Sequence, residues 1–125
     1  MRETGLVEGK LRPCPSSPNC VCSQERDPGH RVVPWTFTGE PDAIRERLIA
    51  ALKSFPRVEL VIAEPRYLHA TFTSAIFGWV DDVELLIDEE TRLIHVRSAS
   101  RTGTWDLGAN KRRALKLRAA FEATA

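Results

Sequence analysis

No apolar run in this chain approaches the ~18 to 20 residues needed to span a bilayer, and the opening MRETGLVEGKLRP has no hydrophobic stretch of the kind a secretory leader carries. A membrane span is therefore not expected, and a cytoplasmic location follows. A charge excess is missing as well. The formal net charge is +1, whereas domains that coat nucleic acid are usually strongly basic, so no nucleic-acid partner is expected. No internal repeat and no low-complexity linker interrupts the chain, and no cofactor is expected. Cysteine is absent outside one short stretch, CPSSPNCVC, which holds Cys14, Cys20 and Cys22.

What is present is enough for one domain: 125 residues, 42% of them hydrophobic, can bury a core without staples. Charge is segregated along the chain. Asp81, Asp82, Glu84, Asp88, Glu89 and Glu90 fall together, whereas Arg92, Arg97, Arg101, Lys111, Arg112, Arg113, Lys116 and Arg118 share their segment with only Asp106 among acids. An acidic end and a basic end are expected, and a scaffold that holds a partner protein through them is one functional class to test.

Residues 1–29 are rich in Pro, Ser, Asn and Gly and read as an irregular, fairly stiff arm packed on the domain formed by residues 30–125. Arg31 to Thr38 suits a short edge strand broken by Pro34. Pro41 and Asp42 announce a helix whose stripe is Ile44, Leu48, Leu52 and Phe55, and Pro56 stops it. The period then changes to two. Val58–Ala63, Tyr67–Ser74, Trp79–Asp88 and Leu93–Ser100 read as four strands with short turns, hence an antiparallel meander with one oily and one largely polar face. A last helix runs from about Leu107 to Ala123, with Asp106 as its N-cap. The order β-α-β-β-β-β-α implies an α+β fold, a curved antiparallel sheet with both helices packed on the oily face, similar to TATA-binding-protein-like and helix-grip folds.

Arg97 to Arg113, RSASRTGTWDLGANKRR, is the segment richest in candidate chemistry. Ile94 and Val96 point inward, so Ser98 and Ser100 continue that face, while His95, Arg97, Ala99 and Arg101 point away. Asn110 lies on the apolar stripe of the last helix and must find partners inside, for which Ser98 and Ser100 are the candidates. A helix N-terminus with Arg97, Arg101 and Arg112 nearby makes the parts of a carboxylate or phosphate site. The expected ligand residues are Arg97, Ser98, Ser100, Arg101, Asp106, Asn110 and Arg112, and the partner is a small anionic or amphipathic molecule in a pocket between this segment and the N-terminal arm. The bland alternative is an internal polar lock beside a solvated basic face. Asp81 and Asp82, adjacent on a strand, point to opposite faces and cannot share a proton or a metal; one of them is expected to pair with an arginine. His69 and His95 fall on the non-core face and are expected to be partly exposed.

These motifs carry a resemblance. The run Pro13, Cys14, Pro15, Ser17, Pro18, Asn19, Cys20, Val21, the strand Val80, Asp81, Asp82, Val83, Glu84, and the finish Arg97, Ser98, Ser100, Arg101, Gly103, Asp106, Gly108, Asn110, Arg112 resemble the bacterial and plastid family catalogued as domain of unknown function 1499. The likeness extends from about Leu11 to Leu117 and implies no activity. Where that family usually has Ser, this chain has Cys22, so the resemblance implies two recurring thiols, not three. Four readings of the thiols stay open. Cys14, Cys20, Cys22 and His30 are a conceivable zinc set, though without the compact Cys-x2-Cys spacing. Cys14 and Cys20 are a conceivable disulfide, opposed by a reducing compartment. Cys20 is a conceivable nucleophile, and Asp106 a conceivable hydrolase residue. Last, the thiols simply pack under a proline-stiffened lid.

Overall fold

The helix stripe and the alternating strands sort the chain onto one sheet. The computed structural model describes residues 3–102 and 108–124. Its elements are β1 (Leu6–Val7), β2 (Lys10–Leu11), β3 (Cys20–Cys22), β4 (Trp35–Thr36), α1 (Pro41–Lys53), β5 (Val58–Ala63), β6 (Tyr67–Thr73), β7 (Val80–Asp88), β8 (Leu93–Ser100) and α2 (Ala109–Glu122). The fold is α+β, as the pattern predicts.

Pro41 sits in the first turn of α1 with Asp42 beside it, where a missing N–H is harmless and an acid meets the positive end of the helix dipole. Ile44, Leu48, Ala51 and Leu52 are buried, and beyond the Ser54 cap the chain reaches Pro56 and the left-handed Arg57 (φ 56°), which turn it into β5. Strands β5 to β8 form the expected antiparallel meander, in the sheet order β3-β8-β7-β6-β5. Pro34 limits the strand expected over Arg31–Thr38 to the two residues of β4, since it has no N–H to give a ladder.

The arm departs from its expected irregularity. It is not wholly irregular: β1 and β2 make a small hairpin, and β3 lies antiparallel on β8, pairing Cys20 with Ala99, Val21 with Ser98 and Cys22 with Arg97. β4 continues along the same edge at Ile94 and Leu93. The row of N–H and C=O groups on an exposed β8 edge demands partners. A Cys-Val-Cys run, small and apolar, supplies them. The predicted start of the last helix at Leu107 and its cap Asp106 lie outside the described residues; the described helix begins at Ala109, after Gly108 in a left-handed conformation (φ 78°).

Both helices cover the oily face. Ile44, Leu48 and Leu52 of α1 and Ala114, Leu117 and Phe121 of α2 join Leu68, Ala70, Phe72, Val83, Leu85, Ile87, Ile94 and Val96 in one core. Each large side chain so buried contributes roughly 1.5 to 3 kcal/mol relative to an exposed one. The opposite face is largely polar, as alternation predicts, and it is covered: the β1–β2 arm crosses it and buries Leu11, Cys22, Tyr67 and Leu86 in a smaller cluster, with Cys14 and Ile62 against it. A register shift in β5 between Leu60 and Ile62 makes this possible. One extra residue there turns Ile62 away from the face that Leu60 occupies.

Candidate functional site

Four groups of candidate residues emerge, and the structure separates residues that the sequence placed together. Ser98 and Asn110, both without solvent exposure, meet in the core layer. The Ser98 hydroxyl donates to Asn110 Oδ1 at 2.6 Å, and Asn110 Nδ2 donates to Ser100 Oγ at 3.0 Å and to the Asn19 carbonyl at 3.1 Å. The Ser100 N–H reaches the same carbonyl at 2.9 Å. Arg113 donates to Asn110 Oδ1 and pairs with Asp81 at 2.7 Å. Helix α2, strand β8 and the Cys-Pro loop are thus fastened by one buried amide. Ser98 and Ser100 do partner Asn110, and the arrangement ties elements together without leaving Ser98 exposed to a ligand.

Arg97 and Arg101 lie on the other side of the sheet, as alternation requires, and each meets a carboxylate. Arg97 NH1 is 3.2 Å from Glu84 Oε1, with both side chains buried; Glu84 Oε2 also accepts the Tyr67 hydroxyl and, at 2.8 Å, the Gly5 N–H. Burial and the Glu84 carboxylate push the Tyr67 hydroxyl well above its usual range. Arg101 grips Asp82 with Nε and NH2 at 3.0 and 3.1 Å, and His69 Nε2 reaches Asp82 Oδ1 at 2.8 Å. Burial alone would raise the Asp82 carboxyl, but hydrogen bonds from His69 and Arg101 and the Arg101 charge outweigh it and hold it at about 2. The expectation that one aspartate pairs with an arginine is doubled: Asp81 does so on the helix side and Asp82 on the arm side. His69, expected to be partly exposed, is buried, and its Nδ1 is without a hydrogen-bond partner among the described residues. Arg97 and Arg101 therefore do not converge with Ser98, Ser100, Asn110 and Arg112 on one ligand. The sheet stands between the two sets.

The thiol stretch resolves in one direction. Cys14 and Cys20 form a disulfide, and Cys22 is a free, buried thiol whose pKa is raised chiefly by burial. With its sulfur bonded to Cys14, Cys20 is no thiolate nucleophile, and neither cysteine is a zinc ligand. His30 Nδ1 lies 2.9 Å from the Cys20 carbonyl oxygen. Among the described residues no group of three or more His, Cys, Asp or Glu side chains is placed to hold a metal. The lid reading survives in oxidised form, with the loop closed by a bond as well as by packing. Asp106 lies outside the described residues.

Two grooves lie elsewhere, on the flanks of α2. One groove, of about 350 Å³, runs between the start of α2 and the loop before β5 and is lined by Phe55, Pro56, Arg57, Phe72, Thr73, Ser74, Ala109, Arg112, Arg113 and Lys116. The other, of about 440 Å³, is lined by Pro28, Arg31, Val32, Val33, Trp35, Lys111, Ala114, Leu115 and Arg118. Among the described residues no carboxylate lines either. In the first, Arg113 lies over the Phe72 ring at 5.1 Å while bonded to Asp81, and Arg57 Nε is tied to the Thr73 carbonyl at 3.0 Å, so two of its cations are pre-positioned. Of the expected site residues that are described, only Arg112 lines this groove. Arg57 and Lys116 are additions that sequence reasoning missed: Arg57 follows a helix-ending proline some 50 positions from α2, and nothing local links the two.

The fold and these contacts define a small α+β domain whose sheet is helix-covered on one side and strapped by a disulfide-closed arm on the other. The family model described as "Protein of unknown function (DUF1499)" matches residues 10–121, and the chain belongs to that family. No curated protein matches the chain. No described helix is long and apolar enough to cross a membrane.

Proposed function

We propose that the domain is a binding module for a small anionic or amphipathic ligand, and that the ligand sits in the groove between the first turns of α2 and the α1–β5 loop. The observation that carries this reading is the lining itself: Arg57, Arg112, Arg113 and Lys116 surround a floor of Phe55, Pro56 and Phe72, with no acid among the described lining residues. Phosphate or carboxylate oxygens match such a ring of donors, and the aromatic floor accepts a short apolar portion. Arg112 is kept from the constellation recognised in the sequence. Arg97 and Arg101 serve instead to hold the arm and β7. Thiol catalysis at Cys20 loses its support because the sulfur is committed to Cys14.

The test is a titration of the folded domain with inorganic phosphate and with a short-chain alkyl phosphate, followed by backbone amide NMR. Saturable shifts confined to Arg57, Thr73, Ser74 and Ala109 to Lys116 are expected, abolished in an Arg57→Glu/Lys116→Glu variant. Uniform, non-saturating shifts with both probes would sink the reading. A cytoplasmic location is part of the proposal, and the Cys14–Cys20 bond is the observation that opposes it, since that compartment keeps thiols reduced. Alkylation of the protein inside its own cells decides: three modified cysteines on the denatured chain support the cytoplasm, one modified cysteine an oxidising compartment.

A further inference from the structure

The β6–β7 hairpin ends in an unusual tip. Ladder pairing stops at Thr73 and Val80, and between them the chain runs Ser-Ala-Ile-Phe-Gly-Trp. Ser74 closes the base: its N–H donates to the Trp79 carbonyl at 2.8 Å, and its hydroxyl accepts the Trp79 N–H at 2.9 Å. Gly78 takes the left-handed conformation (φ 68°) that the reversal needs. The consequence is a projection whose large side chains face outward. Ile76 is 86% exposed, Phe77 69% and Trp79 61%, with the Phe77 and Trp79 rings stacked at 4.8 Å. Hairpin tips are ordinarily polar, and adjacent large apolar groups in water mark an interaction site.

Thr73 and Ser74 at the foot of this tip are also a wall of the basic groove that holds Arg57, Arg112 and Lys116. A convex apolar point beside a cluster of cations fits one kind of partner best: hydrocarbon for Ile76, Phe77 and Trp79, phosphate for the cations, at the depth where tryptophan prefers to lie. We infer that the β6–β7 tip is a peripheral membrane-docking element, inserted among the lipids of an anionic bilayer while the groove cations gather headgroup phosphates. The headgroup half rests on the proposed anion groove; the apolar half stands on the tip alone. The element lies in the interface and crosses nothing.

Flotation with vesicles tests it, comparing pure phosphatidylcholine with phosphatidylcholine containing phosphatidylglycerol. The intact chain is expected to float with the anionic vesicles and much less with the neutral ones. Ile76→Ser/Phe77→Ser, at two exposed positions, is expected to lower partitioning about tenfold or more. Arg57→Glu/Lys116→Glu should remove the preference for anionic lipid, at roughly fivefold or more per cation. Thermal unfolding of each variant confirms that the fold is intact. Equal flotation of the intact chain and the tip variant, or none by either, overturns the inference. The phosphate titration, repeated on the tip variant, keeps the two readings apart. Saturable phosphate shifts without vesicle binding leave the groove reading standing and end this one; tip-dependent vesicle binding without phosphate shifts does the reverse.

Discussion

The two faces of the sheet are built on opposite principles. On the helix side, side chains that differ only in shape fill one apolar core, and the polar exceptions, Ser98 and Asn110, satisfy each other at its end. On the arm side, the strands set charged and polar residues in rows: His69, Glu84 and Arg97 are direct neighbours across β6, β7 and β8, and Asp82 lies one row away. Those groups stay buried because a short hairpin and a disulfide loop lie over them, with Leu11 and Cys14 of the arm in the same apolar cluster as Tyr67 and Leu86 of the sheet. The helix face is tolerant of exchange among hydrophobes. The arm face is not, because a buried charge that loses its partner has no substitute nearby.

Glu84→Ala should separate the faces most sharply. It strands the Arg97 guanidinium and removes the acceptor for Gly5 and Tyr67, so a loss of about 3 to 5 kcal/mol is expected in urea unfolding. Leu68→Ala on the helix side should lose a comparable ~2 to 5 kcal/mol, but the native states will differ. Trypsin should cut rapidly after Lys10 in the first variant, where the arm has lost its anchor, and not in the second.

Acid should act on the arm face first. Asp82 titrates at about 2 in the folded protein against an ordinary value of 3.8, so the unfolded chain takes up this proton first as pH falls. Its contribution, about 2 kcal/mol, is complete above the unfolded value and disappears as pH drops through the folded one. His95, depressed by burial, adds in the same direction at higher pH. In Asp82→Asn the steep acid limb of a stability-versus-pH curve between about pH 4 and 2 should flatten.

Breaking the Cys14–Cys20 bond, by reduction or as Cys14→Ser/Cys20→Ser, should lower stability by about 2 kcal/mol, as expected for so short a closed loop. Chemical shifts should move along β3 and leave α1 unchanged. The smallest effect is expected from Cys22→Ser, which places a hydroxyl among Leu11, Tyr67 and Leu86 at about 1 kcal/mol. In the unaltered protein, native Cys22 should resist iodoacetamide that labels it promptly in urea, because burial both raises its pKa and blocks access.

Much of the helix face was legible from order alone. Period 3.6 in Ile44, Leu48 and Leu52 and period two in Leu68, Ala70 and Phe72 identify the same core that the structure assembles. So does the inward aim of Asn110, since an amide on an apolar stripe needs a buried partner. The arm face was legible only in part. Alternation placed Arg97 and Arg101 correctly on it, yet proximity along the chain invited grouping them with Ser98 and Arg112, from which the sheet divides them.

By itself, then, the sequence determined the element order, the oily side of each strand and the family motifs, because these depend on contacts between near neighbours and on regular periods. Only the tertiary structure decided that Cys14 meets Cys20, that Glu84 lies under Gly5, and that Arg57 faces Lys116 across a groove. Those pairings are set by strand register, by a one-residue bulge and by the path of the arm. None of them has a period, and each joins residues that only the folded chain brings together.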